Sequence, residues 1–510
     1  MEAVRGMYIS TRGNFRKVPA SEAIKLGMVP AGGLFVPAET PALSTEEILA
    51  MRGSSYQGTA ERIISLFLND FTEEEIKGCI ARAYRDDNFD HPQVAPLYRL
   101  NEHTFFLELW HGPTAAFKDI ALQIMPHFLS LAVEKMGVQR EIVILVATSG
   151  DTGKAALEGF KNVPGTKIIV FYPYNGVSKI QELQMTTTDG SNTSAIAVRG
   201  NFDDCQNAVK DIFADEDFNK ILATNGYELS SANSINWGRL LPQIVYYFRA
   251  YLDLLEQEEI APGEKINFTV PTGNFGNILA SWYAQRMGLP INKLICASNE
   301  NKVLTDFFRS GIYDRNREFK QTRSPSMDIL ISSNLERFLF EITGHDAKKI
   351  NRWMADLKET GRFEVDPATK EAMDEIMACD YASEEETLSA IKEIYHAAEY
   401  IPDTHTAVGY KVYRKYLQRT GDSTRTVIDA TASPYKFSGS VLEAIKGSSF
   451  IQGKGEFEIL EGLSKINPVP LHFGLRDLDK KPVLHRTVCE QKEIREQIKT
   501  ILGVSNMGRA

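Results

Sequence analysis

The run Glu141-Ile142-Val143-Ile144-Leu145-Val146-Ala147 constrains the fold more than any other stretch of the 510-residue chain. Every residue after the first is apolar, as in a strand buried on both faces of a parallel sheet. It passes directly into Thr148-Ser149-Gly150-Asp151-Thr152-Gly153, and a helical period continues to Phe160. The same order then returns. Lys167 to Phe171 reads as strand, Val177 to Met185 as helix and Ser194 to Val198 as strand. Farther on, Lys265 to Val270 leads through Pro271-Thr272-Gly273-Asn274-Phe275-Gly276-Asn277 into a helix reaching Met287, and Thr424 to Ile428 is a last strand. Strands alternating with helices predict an α/β fold with a largely parallel sheet. Ligands of such sheets lie beyond the strand C-terminal ends, where the glycine loops fall.

A second stretch points to chemistry. His111-Gly112-Pro113-Thr114-Ala115-Ala116-Phe117-Lys118-Asp119 opens with a turn, after which Phe117, Ala121, Ile124, Met125, Phe128 and Leu131 recur at helical spacing. Thr114 is placed as the N-cap and Gly137 as the C-terminal glycine. Lys118 then sits in the first turn, where the helix dipole disfavours a cation and burial among Ala115, Ala116 and Phe117 disfavours it further. Both effects lower the amine's pKa, as a Schiff-base lysine requires. Lysines are mostly exposed, so spacing alone leaves a solvated lysine as the alternative.

The glycine loops divide by spacing. Residues 148–153 offer successive N–H groups and hydroxyls at a helix N-terminus, which suits a carboxylate or phosphate, although a plain connection reads the same way. Gly153-Lys154-Ala155 is no Walker loop. Residues 271–277 are not GxGxxG, so a dinucleotide site fails and the single phosphate of a cofactor fits better. Ser234-Ile235-Asn236-Trp237-Gly238-Arg239 precedes a helix from Leu240 to Leu255, and its polar residues read in isolation as caps. His405, at the start of a helix after Pro402-Asp403-Thr404, reads in isolation as a capped histidine.

A net charge of −10 argues against a nucleic-acid partner. No apolar run approaches the ~20 residues of a membrane span, and the N-terminus carries no signal-peptide pattern, which predicts a cytoplasmic protein. Cys79, Cys205, Cys296, Cys379 and Cys489 are scattered, so neither a metal site nor a disulfide framework is expected. Residues 1 to about 95 read as a separate unit of short strands and helices. From about 300 to 400, helical periods and acidic runs such as Ser383-Glu384-Glu385-Glu386 predict an all-helical insertion with a solvated face.

Five motifs, in order, resemble threonine synthases, and the resemblance covers about residues 1 to 450. Residues 111–119 resemble that family's pyridoxal-phosphate lysine motif. Ser-Thr-Arg-Gly at 10–13 and Gly-Gly-Leu-Phe-Val-Pro at 32–37 resemble its N-terminal domain. Ala-Thr-Ser-Gly-Asp-Thr-Gly at 147–153 resembles its grip on the substrate amino acid, and 271–277 its cofactor-phosphate loop. Ser332-Ser333-Asn334-Leu335-Glu336-Arg337 resembles a recurrent family segment to which we attach no role.

The resemblance implies a tryptophan-synthase-β-like (fold type II) enzyme with two open, mostly parallel sheets, a small N-terminal domain and a helical insertion. The implied domains are 1–95, a small α/β domain at 96–240 carrying Lys118, and a large α/β domain at 241–510. Pyridoxal 5′-phosphate would be held by Lys118, by Gly273, Asn274, Phe275, Gly276 and Asn277, and by Thr431, whose hydroxyl can face the pyridine nitrogen. Ser149, Gly150, Asp151 and Thr152 would hold the substrate's carboxylate and amino end, and Ser234, Asn236 and Arg239 its phosphate. The implied reaction takes O-phospho-L-homoserine and water to L-threonine and phosphate, with Lys118 moving the protons, in a monomer or homodimer. Many relatives have proline where Thr404 stands and histidine where Ser433 stands. These departures keep a phospho-lyase releasing 2-oxobutyrate and ammonia as an alternative. A non-catalytic binding protein is the other, disfavoured by the intact Lys118, Thr431 and glycine loops.

Overall fold

The computed structural model describes residues 6–148 and 150–504. Two sheets carry the architecture. The larger has six strands in the order Met377–Tyr381, Ile291–Ser298, Ile266–Pro271, Thr426–Ala430, Thr104–Glu108, Leu97–Arg99. All neighbours are parallel except the last pair. The smaller has five strands, all parallel, in the order Val488–Glu490, Thr193–Arg199, Thr166–Pro173, Glu141–Ala147, Tyr227–Ser230. The Glu141–Ala147 strand sits inside this sheet with apolar neighbours on both sides, which is why its sequence is continuous rather than alternating.

A helix at Trp237–Glu256 runs through the molecule with nearly every side chain buried. It is buried all round because it meets the N-terminal unit on one side and the helices that begin at Lys118 and Gly276 on others. The N-terminal unit pairs the Met7–Ser10 strand antiparallel with Val18–Pro19 and Phe35–Pro37. Its Glu73–Ala83 helix begins in a capping box between Thr72 and Glu75. No described helix is long and apolar enough to cross a membrane.

Two expectations fail. The stretch from 300 to 400 is not all helical. The Ile312–Asp314 and Arg362–Glu364 strands pair antiparallel, and Met377–Tyr381 is an edge strand of the larger sheet. Its five residues, MACDY, are too short and mixed for a strand period; pairing with Ile291–Ser298 creates the strand. The acidic run there is the first turn of the Glu384–Ala398 helix, where Ser383 and Glu386 form a capping box and carboxylates favour the helix dipole.

The division at 96 and 240 is also crossed. Leu97–Arg99 and Thr104–Glu108 lie in the larger sheet, the latter paired with Thr426–Ala430. Val488–Glu490, from the end of the chain, completes the smaller sheet beside Thr193–Arg199. Chain order does not fix sheet membership when both sheets offer a free edge.

Candidate active site

Lys118 is the first residue of the Lys118–Lys135 helix, with Phe117 at the N-cap position. Thr114 does not cap it. Thr114 N–H and Oγ1 instead donate to the Asp119 carboxylate at 2.8 and 2.6 Å, because three non-helical residues separate Thr114 from the first turn. The approach to Lys118 is tied to the end of the Thr426–Ala430 strand. Ser433 N–H donates to the Ala115 carbonyl at 3.0 Å and Phe117 N–H to the Thr431 carbonyl at 2.9 Å. Thr431 is thereby buried beside the start of the lysine helix.

Lys118 Nζ lies 3.4 Å from Ser326 Oγ and 3.9 Å from Asp151 Oδ2. Burial lowers its pKa to about 8; Asp151 opposes that shift, while Lys436 and Arg239 add to it. Asp151 opens the Asp151–Phe160 helix and is held by Lys436 Nζ at 2.8 Å and Gln181 Nε2 at 3.1 Å. Burial alone would raise its carboxyl, but Lys436 and Lys118 hold it well below the usual carboxylate range. Gly150 adopts φ +140, and a Cβ there would meet Gln181 Nε2 at 2.4 Å, so only glycine lets the loop close on its neighbour.

This loop is a less open anion cradle than its sequence implies. Gly150 and Gly153 N–H both donate to Thr148 Oγ1, at 3.0 and 2.9 Å, so two donors are already satisfied. Thr152 stands partly exposed in the first turn. Ser149 lies outside the described residues.

In the 271–277 loop, a Cβ on Gly273 would meet the Ser326 carbonyl at 2.8 Å, and Phe275 takes φ +63 so that the Gly276–Arg286 helix can start at once. The first-turn N–H groups of that helix have no helical acceptor and suit a phosphate. Asn274 is exposed and its carbonyl accepts from Asn334 N–H at 3.0 Å. The Asn277 side chain points the other way. It donates to Asp429 Oδ2 at 2.9 Å and accepts from Tyr247 at 2.7 Å, so only its backbone is free for a ligand.

The 234–239 group separates into roles. Asn236 does cap: its Oδ1 accepts from Gly238 N–H at 2.9 Å and its Nδ2 donates to the Ile24 carbonyl at 2.9 Å, leaving its side chain no room for substrate. Ser234 Oγ is 3.4 Å from Ser333 Oγ. Arg239 is 3% exposed, donates to the Ala232 carbonyl at 2.9 Å, and leaves Nε with no partner among the described residues. Burial alone lowers its pKa to about 10, with no carboxylate opposing. A buried guanidinium in that state calls for an anion.

Lys436 and Ser326 escaped the sequence reading, and His405, read there only as a capped histidine, joins them. Lys436 is buried between Asp151 and the Thr114 carbonyl, its Nζ 2.8 Å from each. Ser326 contacts Lys118 from a segment 208 residues away. His405 holds that segment: Ser326 N–H donates to His405 Nε2 at 3.1 Å, so Nδ1 carries the proton that binds Asp403 Oδ1 at 2.7 Å. The Ser332–Arg337 segment also gains a role. Ser332 Oγ donates to the Gly273 carbonyl at 2.7 Å, and Arg337 Nε donates to the Phe35 carbonyl at 2.9 Å, binding the 271–277 loop to the N-terminal unit.

A buried amine of lowered pKa, a close-approach glycine loop at a helix start, and a Ser433 Oγ without a partner among the described residues fit a phosphorylated aldehyde cofactor. Two open sheets with such a lysine between them define a fold type II pyridoxal-phosphate-dependent enzyme. A family model described as pyridoxal-phosphate dependent enzyme matches residues 90–431. Models of the threonine synthase N terminus and C-terminal region match 7–84 and 406–494. The chain is 39% identical to threonine synthase of Schizosaccharomyces pombe, over 87% of this chain and 90% of that one. The crystal structure of PLP-bound threonine synthase from Brucella melitensis superposes with a TM-score of 0.86 at 37% identity, covering 98% of this chain and 99% of that chain. The chain belongs to the threonine synthase family. Human threonine synthase-like 1 is 41% identical over 90% of this chain, which spans 62% of that relative's length.

Proposed function

We propose that the protein converts O-phospho-L-homoserine and water to L-threonine and phosphate, using pyridoxal phosphate, in the cytoplasm. The observation that carries this is the pairing of Lys118, a buried amine with a pKa of about 8, with Arg239, a buried guanidinium facing no carboxylate among the described residues. The first is a proton carrier suited to neutral pH; the second is a seat for a phosphate. All five cysteines are free, which suits a reducing compartment.

Lys118 would hold the cofactor's aldehyde carbon, the backbone of 273–277 its phosphate, and the neutral Thr431 hydroxyl its ring nitrogen. When bound, the cofactor supplies an electron sink for the carbanion formed at the substrate's Cα. Lys118 would take the proton from Cα, hand it on, and then take a second from Cβ; as phosphate departs from Cγ, one of these protons makes Cγ a methyl group and the other returns to Cα once the hydroxyl of water is in place. Water adds at Cβ. Asp151, ionised and fixed by Lys436, offsets the positive charge on Lys118 each time the amine is protonated. Ser326, anchored through His405, fixes the amine's position. Gly150 and Thr152 line the strand end where the substrate's amino-acid end would sit, and Arg239 with Ser234 receives the leaving phosphate.

Product analysis tests the reading. Purified protein with pyridoxal phosphate and O-phospho-L-homoserine is expected to give threonine and phosphate in equal amounts. Phosphate accompanied by 2-oxobutyrate would make it a lyase, and absence of phosphate release would discard the substrate.

A further inference from the structure

A cavity of about 630 Å³ opens on a side of the lysine helix turned away from Lys118. It lies between that helix, the end of the Glu73–Ala83 helix and the turn after Phe160, and Pro113 of the 111–119 stretch forms part of its wall. The reaction uses none of its other lining residues.

Its chemistry is one-sided. Arg82, Arg85 and Lys161 line it. Arg82 has no carboxylate within 4 Å among the described residues; its guanidinium meets only Cys79 Sγ, at 3.7 Å. Arg85 and Lys161 pair with Asp87 and Asp189, which are 71% and 69% exposed and can swing into water. The single carboxylate on the wall, Glu158, is already neutralised by the buried Lys154. Gln123 lines the cavity at 7% exposure, and its Nε2 finds no acceptor among the described residues. His127 makes no hydrogen bond to the described chain. Burial and the charges of Arg82 and Arg85 push its pKa down to about 4, so it is neutral at physiological pH.

We propose that this cavity binds a small phosphate-bearing anion at a site separate from the substrate pocket. Three cations, an unpartnered amide donor and the ring N–H of a neutral histidine match the several oxygens of a dianion. An occupant would touch Pro113 on the approach to Lys118 and Gln123 on the helix that Lys118 begins.

The test uses holoenzyme with ¹³C-labelled histidine, the His127 signal being assigned from His127→Gln. Inorganic phosphate, titrated at constant ionic strength against chloride, is expected to shift that signal saturably and to raise the imidazole pKa by at least one unit. Arg82→Gln/Arg85→Gln is expected to weaken this response more than tenfold while leaving the cofactor's absorbance and the melting temperature unchanged. An unmoved His127 signal, or an equal response in the double variant, would overturn the proposal.

Discussion

Lys436 and Asp151 form an ion pair in which Nζ lies 2.8 Å from Oδ1 and neither side chain is more than 5% exposed. Removing one partner of such a pair leaves a desolvated charge, typically at a cost of about 3–5 kcal/mol. Lys436→Met is therefore expected to lower unfolding free energy by about 3 kcal/mol, whereas Lys436→Met/Asp151→Asn is expected to recover much of the loss. Denaturant titration of both variants decides it; equal destabilisation by the single and double variants would show that the pair is not the source.

Lys118 gives a pH signature. In the apoprotein its neutral amine is the nucleophile, and burial lowers its pKa from 10.5 to about 8. Capture of pyridoxal phosphate, followed by absorbance, is expected to accelerate with pH and level off above about 8. A rise continuing towards 10.5 would mean that the amine is solvated. Lys118→Ala is expected to abolish turnover.

Arg239 separates binding from folding. A hydrogen bond to a charged group contributes about 2 kcal/mol, so Arg239→Gln is expected to raise KM for O-phospho-L-homoserine roughly 30-fold at 1.4 kcal/mol per decade. Its single hydrogen bond to Ala232 predicts little change in melting temperature. A large fall in stability with unaltered KM would make the arginine structural.

Asp429 predicts how stability depends on pH. Its Oδ2 accepts from Tyr247 at 2.7 Å and from Asn277, while Oδ1 has no partner among the described residues. Burial pushes its pKa to about 7, with those two hydrogen bonds opposing. An unfolded aspartate titrates near 3.9. Between these values the folded protein keeps a proton that the unfolded chain has lost, so this group's contribution falls as pH rises from about 4 to 7. Asp429→Asn, neutral throughout and able to keep both acceptor contacts, is expected to lose that part of the slope. Parallel stability–pH curves for the two proteins would refute the assignment.

Much of the fold is legible locally. The Glu141–Ala147 strand, the helices after each glycine loop and the α/β class follow from periods and breakers that act within a few residues. The same local reading placed Lys118 in a first turn, where a lowered pKa is expected. It failed where pairing, not propensity, makes the element. Met377–Tyr381 becomes a strand only beside Ile291–Ser298. Thr114 satisfied the rule for a cap, but the buried Asp119 carboxylate competed for its donors.

The sequence by itself determined which groups stand at strand ends, because strand, glycine turn and helix N-terminus are written in consecutive residues. Tertiary structure decided their partners and charge. Lys436 reaches the Thr114 carbonyl across 322 residues, and Ser326 reaches Lys118 across 208. Desolvation and Coulomb interaction depend on distance in space, and hydrophobic periodicity fixes which face of an element is buried without fixing what will be packed against it.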